Sequence, residues 1–175
     1  MHFRIMGLSP DAFRPLYGLS DDELARRGAR RYIADAKPGF PDRIEMRDAE
    51  PGESLILVNH VHQAANTPYH ASHAVFVREG AEVAFDAIDR VPEVLRLRKL
   101  SLRAFSADHY LAAAVLVDGR ELEGEIAKML ARSDVAYIHV HYAAPGCYAA
   151  RVERAWRAEL EPHGCEVLRA SRLTS

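Results

Sequence analysis

The stretch Leu122-Glu-Gly-Glu-Ile-Ala-Lys-Met-Leu-Ala-Arg-Ser-Asp134, continuing Val135-Ala-Tyr-Ile-His-Val-His141, changes its apolar period halfway along. Leu122, Ile126, Met129 and Leu130 fall on one face of a helix, with spacings of three and four residues. Asp134 closes that segment. From Val135 the period drops to two: Tyr137, His139 and His141 share one face of a strand, and Ile138 and Val140 share the other. Downstream, Tyr148, Val152, Ala155, Trp156 and Leu160 are spaced as a second amphipathic helix, ended by Pro162 and Gly164, with Cys165 to Leu168 as a closing strand. Helix and strand in close succession predict an α+β fold: an antiparallel or mixed sheet carrying two longer amphipathic helices, with short helices near the N-terminus.

Working upstream, Leu100–Phe105 and Ala113–Val117 read as paired strands around Asp108, and Val94–Leu97 as a short helix after Pro92. Leu55-Ile-Leu-Val58 is apolar on both faces, as a central strand would be. Its expected hairpin partner is Arg43-Ile-Glu-Met-Arg47, joined through a type II turn at Pro51-Gly52. A polar segment from His62 to His73 leads to the strand Ala74–Val77, a turn at Glu79-Gly80-Ala81 and a returning strand, Glu82–Phe85. Near the start, Phe3–Met6 reads as a strand. Ser9-Pro10 opens one short helix, and Ser20-Asp-Asp-Glu23 is a capping box for another that Gly28 stops.

The 175 residues suit one domain, 1–175, and 49% hydrophobic against 27% charged residues is the mix of a globular chain with a core. With 23 basic and 25 acidic side chains the net charge is −2, so nothing favours nucleic acid or a membrane surface as partner. No run of about 18 apolar residues is present. Two cysteines, no disulfide scaffold and no apolar leader predict a cytoplasmic protein. Composition leaves the oligomeric state open.

Nine histidines are the chemical anomaly. Asn59-His60-Val61-His62 and Pro68-Tyr69-His70-Ala71-Ser72-His73 flank one loop. If their strands are antiparallel neighbours, His62 and His73 meet at one sheet end. His139 and His141 lie two apart on a strand, so both imidazoles face one way, about 6–7 Å apart. Cys147 follows Pro145-Gly146 and should open the second helix, where free N–H groups and the helix dipole favour a thiolate. Two sites follow. One is catalytic, a small-molecule enzyme with Cys147 as nucleophile, His139 or His141 as base, His73 alongside, and Tyr69, Asn59 and Arg151 contacting substrate. The other is metallic, with His62, His73, His139 and His141, with or without Cys147, holding zinc or iron. A non-catalytic ligand- or partner-binding domain, with scattered histidines and a buried Cys147, is the third reading.

Three familiar histidine patterns fail here on the residues present. Ala143 stands where histidine-triad hydrolases need a third histidine. His62 and His141 stand where two-histidine phosphoesterases need serine or threonine, and Gln63-Ala-Ala-Asn66 offers no cupin glutamate. Five ordered segments do agree with one family. They are Phe3-Arg-Ile-Met-Gly-Leu-Ser-Pro10, Ala34-Asp-Ala-Lys-Pro-Gly-Phe-Pro41, Asp48-Ala-Glu-Pro-Gly-Glu53, Pro68-Tyr69 through Ser72-His-Ala-Val-Phe-Val-Arg-Glu-Gly80, and Tyr137-Ile-His-Val-His141 through Gly146-Cys-Tyr-Ala-Ala-Arg151. Together they resemble the bacterial family named domain of unknown function 1203. The resemblance implies a small bacterial protein without an assigned activity and carries over no site residues.

Overall fold

Backbone pairing sorts the strands into two sheets, described here for residues 2–156 of a computed structural model. In chain order the elements are β1 (His2–Met6), α1 (Asp21–Arg26), β2 (Ala29–Ile33), β3 (Ser54–Gln63), β4 (Ala71–Arg78), β5 (Asp86–Ile88), α2 (Glu93–Arg96), β6 (Lys99–Phe105), β7 (Leu111–Asp118), α3 (Leu122–Leu130), β8 (Tyr137–Tyr142) and β9 (Tyr148–Ala155). The larger sheet has the order β5-β1-β9-β8-β6-β7, the smaller β2-β3-β4, and all the pairs are antiparallel. The α+β class holds.

The helix read from Leu122, Ile126, Met129 and Leu130 forms as α3 and buries those four side chains. They pack on Leu100, Leu102 and Ala104 of β6, Ile138 and Val140 of β8, and Val152 of β9. This core covers one face of the larger sheet. A second core, with Leu24, Phe13, Ile56, Val75 and Val77, covers the smaller sheet. The capping box also forms: the Glu23 N–H donates to the Ser20 hydroxyl, and Glu23 accepts from the Ser20 N–H.

The second long helix does not form. Tyr148–Ala155 is β9, a strand paired on one side with β8 and on the other with β1. Tyr148, Val152 and Ala155 satisfy a helical spacing, but Tyr148, Ala150 and Val152 satisfy a strand spacing equally well. Burial on both faces and two waiting strand edges settle the ambiguity, overriding the helix preference of alanine. Cys147 therefore precedes a strand, not a helix, and no helix dipole acts on it. The expected closing strand at Cys165–Leu168, together with Leu160, Pro162 and Gly164, lies outside the described residues.

Two smaller expectations also change. Arg43–Arg47 is not a strand, because the buried Asp42 carboxylate captures the N–H groups of Ile44 at 3.2 Å, Glu45 at 2.6 Å and Arg78 at 2.8 Å. A side chain that takes local backbone donors removes them from ladder pairing. The partners of β3 are consequently β2 and β4. Glu82–Phe85 is irregular; the strand that follows it, β5, pairs with β1. Among the described residues no helix is long and apolar enough to cross a membrane.

Candidate metal centre

β8 is buried along its whole length, so its histidine face has nowhere to go but inward. One face, Ile138 and Val140, meets the α3 core; the other carries Tyr137, His139 and His141 towards the end of the β3–β4 hairpin. His139 is 1% exposed and His141 fully buried. The strand reading of Val135–His141 thus places the pair correctly on one face.

The facing hairpin contributes His62 and His73. The expected polar loop is shorter than its sequence suggests, since β3 runs on through Gln63 and β4 starts at Ala71. The pairing shifts between Val61 and Gln63, which re-aims His62 between them. His62 Nε2 lies 2.7 Å from His73 Nδ1, and its ring is stacked between His73, at 4.8 Å, and Tyr148 of β9, at 4.6 Å. His139 and His141 each meet the His62 ring edge-on at 5.3 Å.

One ring nitrogen from each of His62, His139 and His141 lies within 4.8 Å of the other two. His73 shares the ring cluster but adds no nitrogen to that trio. The partner inventory has the same pattern: His62 Nδ1, His139 Nδ1 and His141 Nε2 are buried without a hydrogen-bond partner among the described residues. A buried polar atom left unpaired costs about 1–3 kcal/mol, so three at one place are an expensive coincidence in a structural core.

Their protonation states are defined by the surroundings. His141 Nδ1 lies 3.1 Å from the Gly146 carbonyl, which can only accept, so Nδ1 carries the proton and Nε2 the lone pair. Burial, reinforced by neighbouring positive groups, pushes His139 down to about 2, His141 to about 3 and His62 to about 4. All three are neutral near pH 7, the form that ligates metal. No carboxylate is bonded to any of the four imidazoles among the described residues.

The remaining expected site residues are placed as follows. The Cys147 thiol accepts from Arg43 Nη2 at 3.0 Å, and no imidazole nitrogen lies within hydrogen-bond distance of it among the described residues. It lines a separate cavity of about 590 Å³ with Arg43, Phe76 and Tyr142. Tyr69 meets Phe105 at 6.0 Å, and Phe105 in turn meets His139 at 5.2 Å, which puts Tyr69 one ring away from the cluster. Asn59 is exposed opposite Ala74, with no polar contact to an imidazole among the described residues. Arg151 pairs in register with His139, sits 3.8 Å over the Tyr137 ring and donates to Glu153. Sequence reasoning missed Tyr148, the Gln63–Tyr137–His109 hydrogen-bond chain and Arg103. The signal for Arg103 was available: Leu100, Leu102 and Ala104 alternate with it, so it faces away from the helix core.

Comparison with protein families gives a match over residues 39–154 to proteins described as "Protein of unknown function (DUF1203)", more than half of the chain, in agreement with the resemblance read from the five segments. Neither the curated proteins nor the solved structures yield a match.

Proposed function

The chain belongs to the DUF1203 family, a kinship that assigns no reaction, and we propose from its geometry that it binds a zinc ion through His62, His139 and His141. The observation that carries this reading is the coincidence of two features: three imidazoles bring ligand nitrogens within 4.8 Å, and each has one buried nitrogen with no hydrogen-bond partner among the described residues. Tetrahedral zinc at about 2.0–2.1 Å needs nitrogens about 3.3 Å apart, so the rings would close by rotation about their side-chain bonds. Coordination through His141 Nε2 leaves its Nδ1–H on the Gly146 carbonyl. Coordination through His62 Nδ1 leaves Nε2–H donating to His73. Backing of this kind orients ligand imidazoles in metal sites and raises their basicity.

Three protein ligands are the count of a site that keeps one position for water or a small ligand. There the ion would act as a Lewis acid on a bound oxygen. The catalytic dyad of Cys147 with an imidazole has less support, since the thiol's polar partner is Arg43. Metal analysis of protein made without a histidine tag tests the proposal. One zinc per chain is expected in wild type and in Cys147→Ser, with stoichiometric zinc lost in His139→Ala and His141→Ala. Wild type without zinc, or full zinc in both alanine variants, overturns it.

A further inference from the structure

Arg103 is a cation beside this cluster that no group among the described residues engages. It lies on β6 directly opposite His139 of β8, with Ala114 of β7 on its other side. Directly opposed residues of antiparallel strands project from the same face with Cβ atoms about 4.5–5.5 Å apart. The guanidinium therefore rises from the histidine face, next to a small alanine that leaves room for it. It is half-buried, and no hydrogen bond, ion pair or ring contact holds it among the described residues. The contrast with its neighbours is sharp: Arg31, Arg47, Arg78 and Arg98 each grip a carboxylate with two nitrogens. Arg151, on the other side of His139, is occupied by Glu153.

We infer that Arg103 and the metal position together form a site for a small oxyanion, a carboxylate or a phosphate, with one ligand oxygen on the ion and the others on the guanidinium fork. This rests on the metal reading above. The chemistry fits on both sides. A zinc ion held by three neutral imidazoles keeps its full 2+ charge; among the described residues no carboxylate is bonded to those imidazoles, and the nearest by register, Glu153, is taken by Arg151. Arginine presents planar paired donors that match carboxylate and phosphate oxygens. By register the charged groups opposite Tyr137, His139 and His141 on β6 and β9 are Arg103, Arg151 and Glu153, and the last two are paired with each other.

The test uses zinc-loaded protein freed of excess metal and titrated in a calorimeter with inorganic phosphate or with acetate at fixed ionic strength. Wild type is expected to take up one anion per zinc, the tighter of the two identifying its class. Arg103→Met should keep one zinc and bind that anion about ten- to a hundredfold more weakly, the loss expected for a charge-assisted two-pronged contact. Arg103→Lys, which keeps the charge without the fork, should fall between. Zinc-loaded wild type that binds neither anion, or arginine variants that both bind as tightly as wild type, overturns the anion site while leaving the metal reading intact. Wild type without zinc overturns both.

Discussion

At the residue scale, a buried imidazole offers a directed lone pair only if something fixes its other nitrogen. Two of the three proposed ligands have that second partner, His141 in the Gly146 carbonyl and His62 in His73. His73 is thereby a positioning residue, and replacing it separates its ring from its nitrogen. His73→Phe keeps a ring to stack on His62 but loses the acceptor. Zinc should still bind one per chain, with affinity lowered about 10–100-fold in competition against a chromophoric chelator, the range for loss of an outer hydrogen-bond partner. Unchanged affinity would show that His73 only packs. Cys147 belongs at this scale too: its chemistry was read from a helix that is a strand, and its surroundings are a different cavity from the histidine cluster.

At the element scale, the β3–β4 hairpin must be held at its far end for His62 to reach β8. Glu79, just past β4, provides that anchor. Its two oxygens accept from Arg31 Nε and Nη2 at 2.9 and 2.8 Å, from the Ser54 hydroxyl at 2.7 Å and from the Gly18 N–H at 2.8 Å, joining β2, β3 and the loop before α1. The Arg31 guanidinium holds the Glu79 carboxyl down at about 2, against 4.5 for a free glutamate. A carboxyl lowered by folding contributes stability that is complete above pH 4.5 and disappears as pH falls towards 2. Glu79→Gln should therefore destabilise the protein by roughly 2 kcal/mol at pH 7 in urea unfolding. The gap from wild type should narrow steadily between pH 4.5 and 2. A pH-independent gap would mean that packing, not charge, makes the anchor. The contrast with β9 is instructive. Ser20 and Glu23 cap α1 through local bonds three residues apart, so that helix was legible. β9 has partners 12 and 151 residues away, His139 opposite Arg151 and Phe3 opposite Arg154, and was not.

At the scale of the whole molecule, the proposed ligands come from both sheets, His62 from the smaller and His139 and His141 from the larger. A metal there would tie the sheets together and stabilise the folded state by mass action. With free zinc at 100 times its dissociation constant the gain is about 2.7 kcal/mol, which for a chain of this size raises the melting temperature by roughly 5–10 °C. A chelator should reverse the shift, and His62→Ala should abolish it; an equal shift in His62→Ala would place the metal elsewhere. The sequence by itself determined the α+β class, the α3 face, the common face of His139 and His141, and the family, because each rests on a local period or an ordered set of motifs. Only the tertiary structure decided that Tyr148–Ala155 is a strand, that His62 rather than His73 completes the trio, and that Arg103 stands beside it. Those outcomes depend on which strand edges meet and in what register, and a residue's own neighbours in the chain do not encode that.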